Sequence, residues 1–270
     1  MGGSNTESWV DVGASLFPYQ KNTGYSIDYG CVSVETIARS ENIVAWLGGN
    51  NKSGPVIMYT NGGEAIPIST DGINFHLSGL QHPEESSGFL FKQDGHLLYH
   101  LSFTNDADNY SLVYDFNTGK FFDITDQNSN YYIAKNVALF NNKYCFISFN
   151  DANVYEMSSE YFTYDGAEIP RVRVCNNLRF VDSSGFVVNS ITFPIEQGEN
   201  TETARIDLSV SVDGGVSFGN DYAIILNDYA HRKNKLTFWN LGYANDFVPR
   251  FKFWGMNRFV FSDGMVGIFK

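Results

Sequence analysis

The sequence predicts an all-β protein in which propeller-like β-meanders are followed by a C-terminal β-sandwich. Three observations carry that reading. Apolar residues alternate with a period of two, and no window of about a dozen residues keeps a helical apolar stripe. The composition is aromatic and turn-rich, with 25 Gly, 16 Tyr and 23 Phe in 270 residues, a profile that suits pleated sheets. Asn-Gly, Asp-Gly and Gly-Gly dipeptides punctuate the alternations at hairpin spacing.

Residues 1–28 read as a leader and irregular lead-in, with Gly13, Pro18 and Gly24 as breakers. Met1-Gly2-Gly3-Ser4 has the look of a vector-derived leader, so the chain is expected to be part of something longer. Residues 29–168 form the meander domain. Its first group of strands is 31–39, 42–47, 55–60 and 64–68, with turns at Gly48-Gly49-Asn50-Asn51 and Asn61-Gly62-Gly63. One or two helical turns follow Ser69-Thr70, over 71–80. The second group is 88–92, 96–103, 110–115 and 120–124, turning at Gln93-Asp94-Gly95 and Asn117-Thr118-Gly119. The third is 132–140, 143–149, 153–157 and 160–164, with Asn141-Asn142 as its first turn.

Each group spans about forty residues and holds about four strands, the footprint of a propeller blade. Propellers typically need at least about four blades to close. Three therefore imply an open arc or a further blade from elsewhere. From residue 169 the rhythm lengthens, through 171–175, 187–193, 205–212, 235–240, 245–254 and 258–261, which reads as a sandwich over 169–270. Within 205–212, Ile206, Leu208 and Val210 alternate with Asp207, Ser209 and Ser211, as one buried face requires. The aromatics Phe247, Phe251, Phe253, Trp254, Phe259 and Phe261 are expected to fill its core.

The net charge of −12 comes from dispersed carboxylates. It favours solubility and argues against tight binding to nucleic acid or an anionic membrane. Cys31, Cys145 and Cys175 are far apart and odd in number, so no disulfide framework or zinc spacing is available and free thiols of a reducing compartment are expected. No apolar run is long enough to span a membrane as a helix.

The candidates for chemistry are few. His96 and His100 would share a strand face but stand roughly 13 Å apart, too far for one metal ion. His76 and His82 lack Cys, Asp or Glu at ligand spacing. No cofactor is expected, since no phosphate-cradling glycine loop opens a helix and no nucleophile–base pattern has supporting context. The basic run His231-Arg232-Lys233-Asn234-Lys235 suggests Arg232, Lys233 and Lys235 as contacts to an acidic partner surface, and Trp254 and Phe259 are candidate interface anchors. Ser211-Val212-Asp213-Gly214-Gly215-Val216-Ser217-Phe218 reads as a structural turn, its Asp and Ser side chains bonding its own amides and its glycines supplying positive φ.

Gly30-Cys31, Ile37-Ala38, Val44-Ala45-Trp46-Leu47-Gly48, Val56-Ile57-Met58-Tyr59 and Ile68-Ser69-Thr70 occur here in order. Asp94-Gly95-His96, Leu98-Tyr99, Leu101, Phe103, Leu112-Val113-Tyr114-Asp115 and Gly119 follow. The turn with Ser211, Asp213, Gly214, Gly215, Ser217 and Phe218 then precedes Asn240-Leu241-Gly242 and Phe251-Lys252-Phe253. Over most of residues 12–261 this order resembles the packaged-DNA stabilisation, or distal tail-hub, proteins of short-tailed bacteriophages. Two departures stand out: Tyr243-Ala244-Asn245-Asp246 where the family tends to place arginines, and Phe121-Phe122 where a Trp is usual.

The resemblance implies a non-enzymatic virion protein, assembled in the bacterial host cytoplasm. It would form a six-fold ring of its own copies that extends the portal channel, retains packaged DNA and docks further tail components. Its partners would be itself, the portal-adaptor and distal tail proteins, and double-stranded DNA passing without sequence-specific binding, with no membrane. An acidic lumen would let DNA leave without sticking. The same turn also resembles the Asp-box of sialidases, with Ser69-Thr70-Asp71-Gly72-Ile73-Asn74-Phe75 as a looser copy. In that setting it is a peripheral structural turn. A carbohydrate-binding or glycoside-processing propeller is therefore the alternative, for which Arg39, Arg171, Arg173, Arg179 and Arg205 show no clamp-like spacing.

Overall fold

A computed structural model describes residues 1–126, 128, 130–161, 163–197, 204–226, 235–255, 259–261 and 264–269. It is all-β as expected, with 55% strand and 6% helix. The chain divides into two compact units, Met1–Ser159 and Glu160–Lys270.

The first unit opens on a hairpin, β1 (Thr6–Asp11) and β2 (Tyr19–Ile27). This corrects the expectation of an irregular lead-in. A register shift between Glu7 and Trp9 breaks the period-two alternation, and Gly13 and Pro18 belong to the connecting loop, so the sequence carried breakers and no clean strand pattern. The lead-in is also structural: Ile27 packs with Trp46, Val56 and Met58 on one face of the first meander.

That meander comprises β3 (Gly30–Cys31), β4 (Ala38–Ser40), β5 (Ile43–Gly49), β6 (Val56–Thr60) and β7 (Ile66–Pro67), all antiparallel. Helix α1 (Asp71–Ser78) follows, with the Thr70 hydroxyl accepting from the Ile73 amide as its N-cap. The second meander is β8 (Ser86–Gln93), β9 (His96–Phe103), β10 (Tyr110–Asp115) and β11 (Lys120–Asp123), paired in sequence order. Asp94 (φ 50°) and Gly95 (φ 84°) form its first turn, and Gly119 (φ 67°) the last. The first pair is what a two-residue hairpin demands, and Gly119 takes the same left-handed conformation at the end of a four-residue loop.

The third meander is β12 (Ala134–Phe140), β13 (Lys143–Ser148) and β14 (Val154–Met157), with Asn141 and Asn142 at φ 48° and 62° in its turn. Strand β8 packs against both β4 and β12, so the inner strands of successive sheets stand together as in a propeller. Ala45, Leu47, Ile57, Leu77, Leu101 and Leu112 fill the space between the first two sheets.

In the second unit β15 (Thr163–Tyr164) pairs with β16 (Ala167–Glu168) in a small hairpin. The expected fourth strand of the third meander, 160–164, therefore belongs to a separate pairing, and the compact units part at Ser159 instead of at residue 168. Strands β17 (Arg171–Val174), β18 (Phe186–Gln197), β19 (Ala204–Ser211), β20 (Tyr222–Leu226), β21 (Lys235–Ala244), β22 (Val248–Trp254), β23 (Phe259–Phe261) and β24 (Met265–Phe269) build two sheets. One runs β17-β22-β19-β20; in the other β18 pairs with β21, β23 and β24.

Their inner faces share one core. Phe186, Val188, Ile191 and Phe193 of β18 meet Ile206, Leu208, Phe251 and Phe253 of the facing sheet. Edge-to-face packing of Phe193 on Phe251, with centroids 5.2 Å apart, is the contact between sheets that the period-two pattern anticipates. Phe247 is buried with them as expected.

Candidate functional site

The region the sequence marks most strongly is the turn after β19 and the sheet face beside it. Ser211 closes β19, and the chain reverses through Gly214 (φ 78°) and Gly215 (φ 101°), which no side chain would tolerate cheaply. The Ser211 hydroxyl donates to Asp213 Oδ1 at 2.6 Å and accepts from the Gly215 amide at 2.8 Å. Asp213 in turn accepts from the Ser217 amide at 2.9 Å and from the Ser217 hydroxyl at 2.5 Å. The Ser211 hydroxyl, then Ser217, hold the Asp213 carboxyl well below the usual carboxylate range. The acid is thus a fixed acceptor, occupied by its own loop, and a poor proton donor.

Phe218 ends the motif as a brace. The Arg250 guanidinium lies 4.0 Å from its ring centroid, and Arg250 Nε donates to Ser209 Oγ at 3.0 Å. The turn is therefore stapled across β19 to β22 by a cation–π contact and a hydrogen bond. All six residues expected in the turn come together: Ser211, Asp213, Gly214, Gly215, Ser217 and Phe218.

Further along the same face lies a cluster that sequence reading missed. Arg205 donates through Nε and Nη2 to Asp207 Oδ2 at 3.1 and 2.9 Å, and Trp254 Nε1 donates to the same oxygen at 2.8 Å. The Arg205 guanidinium sits 5.3 Å from the Trp254 ring. Asp207 is buried beneath these groups, and its second oxygen has no hydrogen-bond partner among the described residues. The signal was present in the sequence as charges at alternate positions, Arg205 and Asp207, but their partner Trp254 is 47 residues away. Trp254 faces away from the core that holds Phe251 and Phe253, since strand side chains alternate. Of the two expectations for Trp254, core filler or interface anchor, the first is corrected: its indole belongs to this outer network.

Of the other candidates, Lys235 opens β21 opposite Pro194, and Phe259 opens β23 opposite Gln197. Arg232 and Lys233 lie outside the described residues, with His231 and Asn234 of the same run. Four histidines have local roles. His96 Nδ1 is 2.8 Å from Asp115 Oδ2, and Asp115 also accepts from Asn117 and Thr118 to tie the hairpin ends. His82 lies 3.2 Å from Glu84, and His76 packs on Tyr110 at 4.3 Å. His100 is buried in stacking contact with Phe89 at 4.5 Å, and burial pushes its pKa down to about 3. The arginines weighed for a clamp are dispersed: Arg39 bonds the Glu41 carbonyl in the first unit, Arg171 and Arg173 lie on β17, and Arg205 is held by Asp207.

Meanders with adjoining inner strands make the first unit a β scaffold of the propeller class. The chain belongs to the bacteriophage stabilisation family: a family model described as Phage_stabilise, Bacteriophage P22 Gp10, beta-propeller, matches residues 1–161. It is accordingly a structural protein of a phage virion. The match ends within two residues of the first compact unit's end at Ser159. No curated protein sequence matches the chain.

Several solved structures are similar at low level, two of them as follows. A glycoside hydrolase family 43 arabinoxylan arabinofuranohydrolase from Bacillus subtilis shares 9% identity over 93% of this chain, with a TM-score of 0.25. A mutant Trypanosoma rangeli sialidase shares 7% over 82%, with a TM-score of 0.27. The chain spans 56% and 60% of those two proteins, and likeness at this level carries no argument about function.

Proposed function

We propose that this protein is the repeating subunit of a non-enzymatic ring in a bacteriophage tail, six-fold in the virion, which extends the portal channel and retains packaged DNA. The observation that carries the reading is family membership over the whole first unit. The second unit lies outside that match. Its assignment as a docking platform for further tail components rests on its covered core and its strand-linking surface networks.

The physical rationale is geometric. Antiparallel sheets with fixed turns give a stiff wall, and exposed loops give contacts to portal-adaptor and distal tail proteins. A net charge of −12 disfavours adhesion of a polyanion, so double-stranded DNA passes without sequence-specific binding. Assembly would take place in the host cytoplasm. The conspicuous polar groups support a non-catalytic reading, because Asp213, Asp207 and Asp115 each accept several bonds from their own sheet or turn.

Native mass spectrometry of the purified chain over a wide concentration range tests this. A closed oligomer of six copies is expected, with no retardation of duplex DNA in a gel even at low salt. A monomer at every concentration, or hydrolysis of a simple glycoside, would overturn it.

A further inference from the structure

The outer face of the β21-β18-β24 sheet is aromatic, and among the described residues its one charge is Lys235 at the start of β21. Register places Tyr243, Val187 and Phe269 in one row across the three strands, and Trp239 beside Ser190 in another. Neighbouring strands are about 4.8 Å apart, so Tyr243 and Phe269 flank Val187 at a separation of roughly 10 Å. Their backs are not needed by the core, which takes Val188, Ile191 and Phe238 from the alternate positions. Trp239 is 60% exposed, Tyr243 67%, Phe269 65% and Met265 66%. Interface cores are enriched in these residue types and depleted in charge.

A second aromatic group stands on the β1–β2 hairpin. Trp9, Phe17 and Tyr19 touch edge to face, with centroids 6.0 and 6.1 Å apart, and Leu16 at the loop is 99% exposed. The nearby Asp11 carboxylate is capped by the Gly13 amide.

We propose that the hairpin aromatics of one copy seat on the β21-β18-β24 face of the next copy, which gives the proposed ring its subunit contact. This rests on the ring reading above. Three arguments select a second copy as the occupant. Charge comes first: copies of a chain carrying −12 repel and meet at least cost where carboxylates are few or paired. Beside the hairpin aromatics Glu7 is paired with Lys21, which stands opposite Trp9, leaving Asp11, and the sheet face brings the cation Lys235. Area is the second. At about 200 Å² per ring, the three exposed face aromatics present roughly 400 Å² and the hairpin aromatics roughly 300 Å². That is the core of an interface whose partners each bury about 800 Å². Symmetry is the third, since two different patches on one chain make a head-to-tail contact, the kind that closes into rings.

The test places a photo-crosslinking benzoylphenylalanine at Phe17 in the full chain and mixes it with isotope-labelled chain lacking the crosslinker. The inference expects adducts on labelled peptides from β21 or β24. It also expects Phe17→Glu and Trp239→Glu each to weaken self-association at least tenfold by mass photometry, with circular dichroism unchanged. Rings that persist in both variants, or adducts elsewhere or only within one chain, overturn this contact and leave the ring reading standing. Loss of glycan binding in Trp239→Glu, with assembly intact, overturns it in favour of a sugar platform. Absence of any self-association by the unmodified chain overturns both.

Discussion

At Gly214 and Gly215 the backbone takes φ of 78° and 101° in consecutive residues. A Cβ at either position raises the cost of that conformation by about 1–2 kcal/mol. Gly214→Ala and Gly215→Ala should each destabilise the second unit by that amount, read from urea unfolding. Asp213→Asn keeps the shape and weakens the acceptor for Ser217. It should lower the melting temperature by a few degrees at neutral pH. Because the folded Asp213 pKa lies below its ordinary value, its contribution is present above the normal carboxylate range and is lost as pH falls through and beneath it. The mutant deficit should therefore shrink in acid.

His100 behaves in the opposite chemical sense with the same pH sign. It is neutral and buried, with a folded pKa of about 3 against an ordinary 6.5. Between those values the unfolded chain binds the additional proton, so acidification destabilises the fold by at most about 1.4 kcal/mol per pH unit. Unfolding free energy should drop by about 2 kcal/mol from pH 7 to roughly pH 5. His100→Phe, stacked on Phe89, should flatten that slope. An unchanged stability across this window in the parent chain would show that the imidazole is solvated.

At the scale of elements, the turns were the most legible part of the sequence. Asn141-Asn142, Asp94-Gly95 and Gly119 sit where left-handed backbone is required, and hairpin chemistry is local enough to read from adjacent residues. The candidate turn was legible for the same reason, since Ser211 to Phe218 form a contiguous motif. What escaped were arrangements set by distant pairing. The lead-in hairpin hides behind its bulge, β15 chooses β16 over the third meander, and Asp207 gains its burial from Trp254 on β22.

Trp46 illustrates how the lead-in is tied to the first sheet. It is fully buried, its indole donates to the Gly30 carbonyl at 3.0 Å, and it packs with Ile27 from β2. Trp46→Ala should cost about 3–5 kcal/mol. Hydrogen exchange should then accelerate along both β5 and β2. Faster exchange in β5 alone would mean that the hairpin is held by other contacts.

For the whole molecule, the balance between apolar contact and net charge makes a signed statement about assembly. Each copy carries −12, so bringing copies together works against a repulsion that salt screens over about 10 Å at 0.1 M. An interface made of Trp9, Phe17, Trp239, Tyr243 and Phe269 contains no ion pairs for the same salt to weaken. Self-association should therefore tighten as sodium chloride rises from about 20 mM to roughly 300 mM, the reverse of an interface built on the basic run at Arg232, Lys233 and Lys235, whose attraction to acidic partners salt would screen. Sedimentation equilibrium at several salt concentrations discriminates the two signs. Tightening with salt, together with insensitivity to Arg232→Ala and Lys233→Ala, is the expected result. Dissociation with salt would place the subunit contact on the basic run and return the aromatic face to another partner.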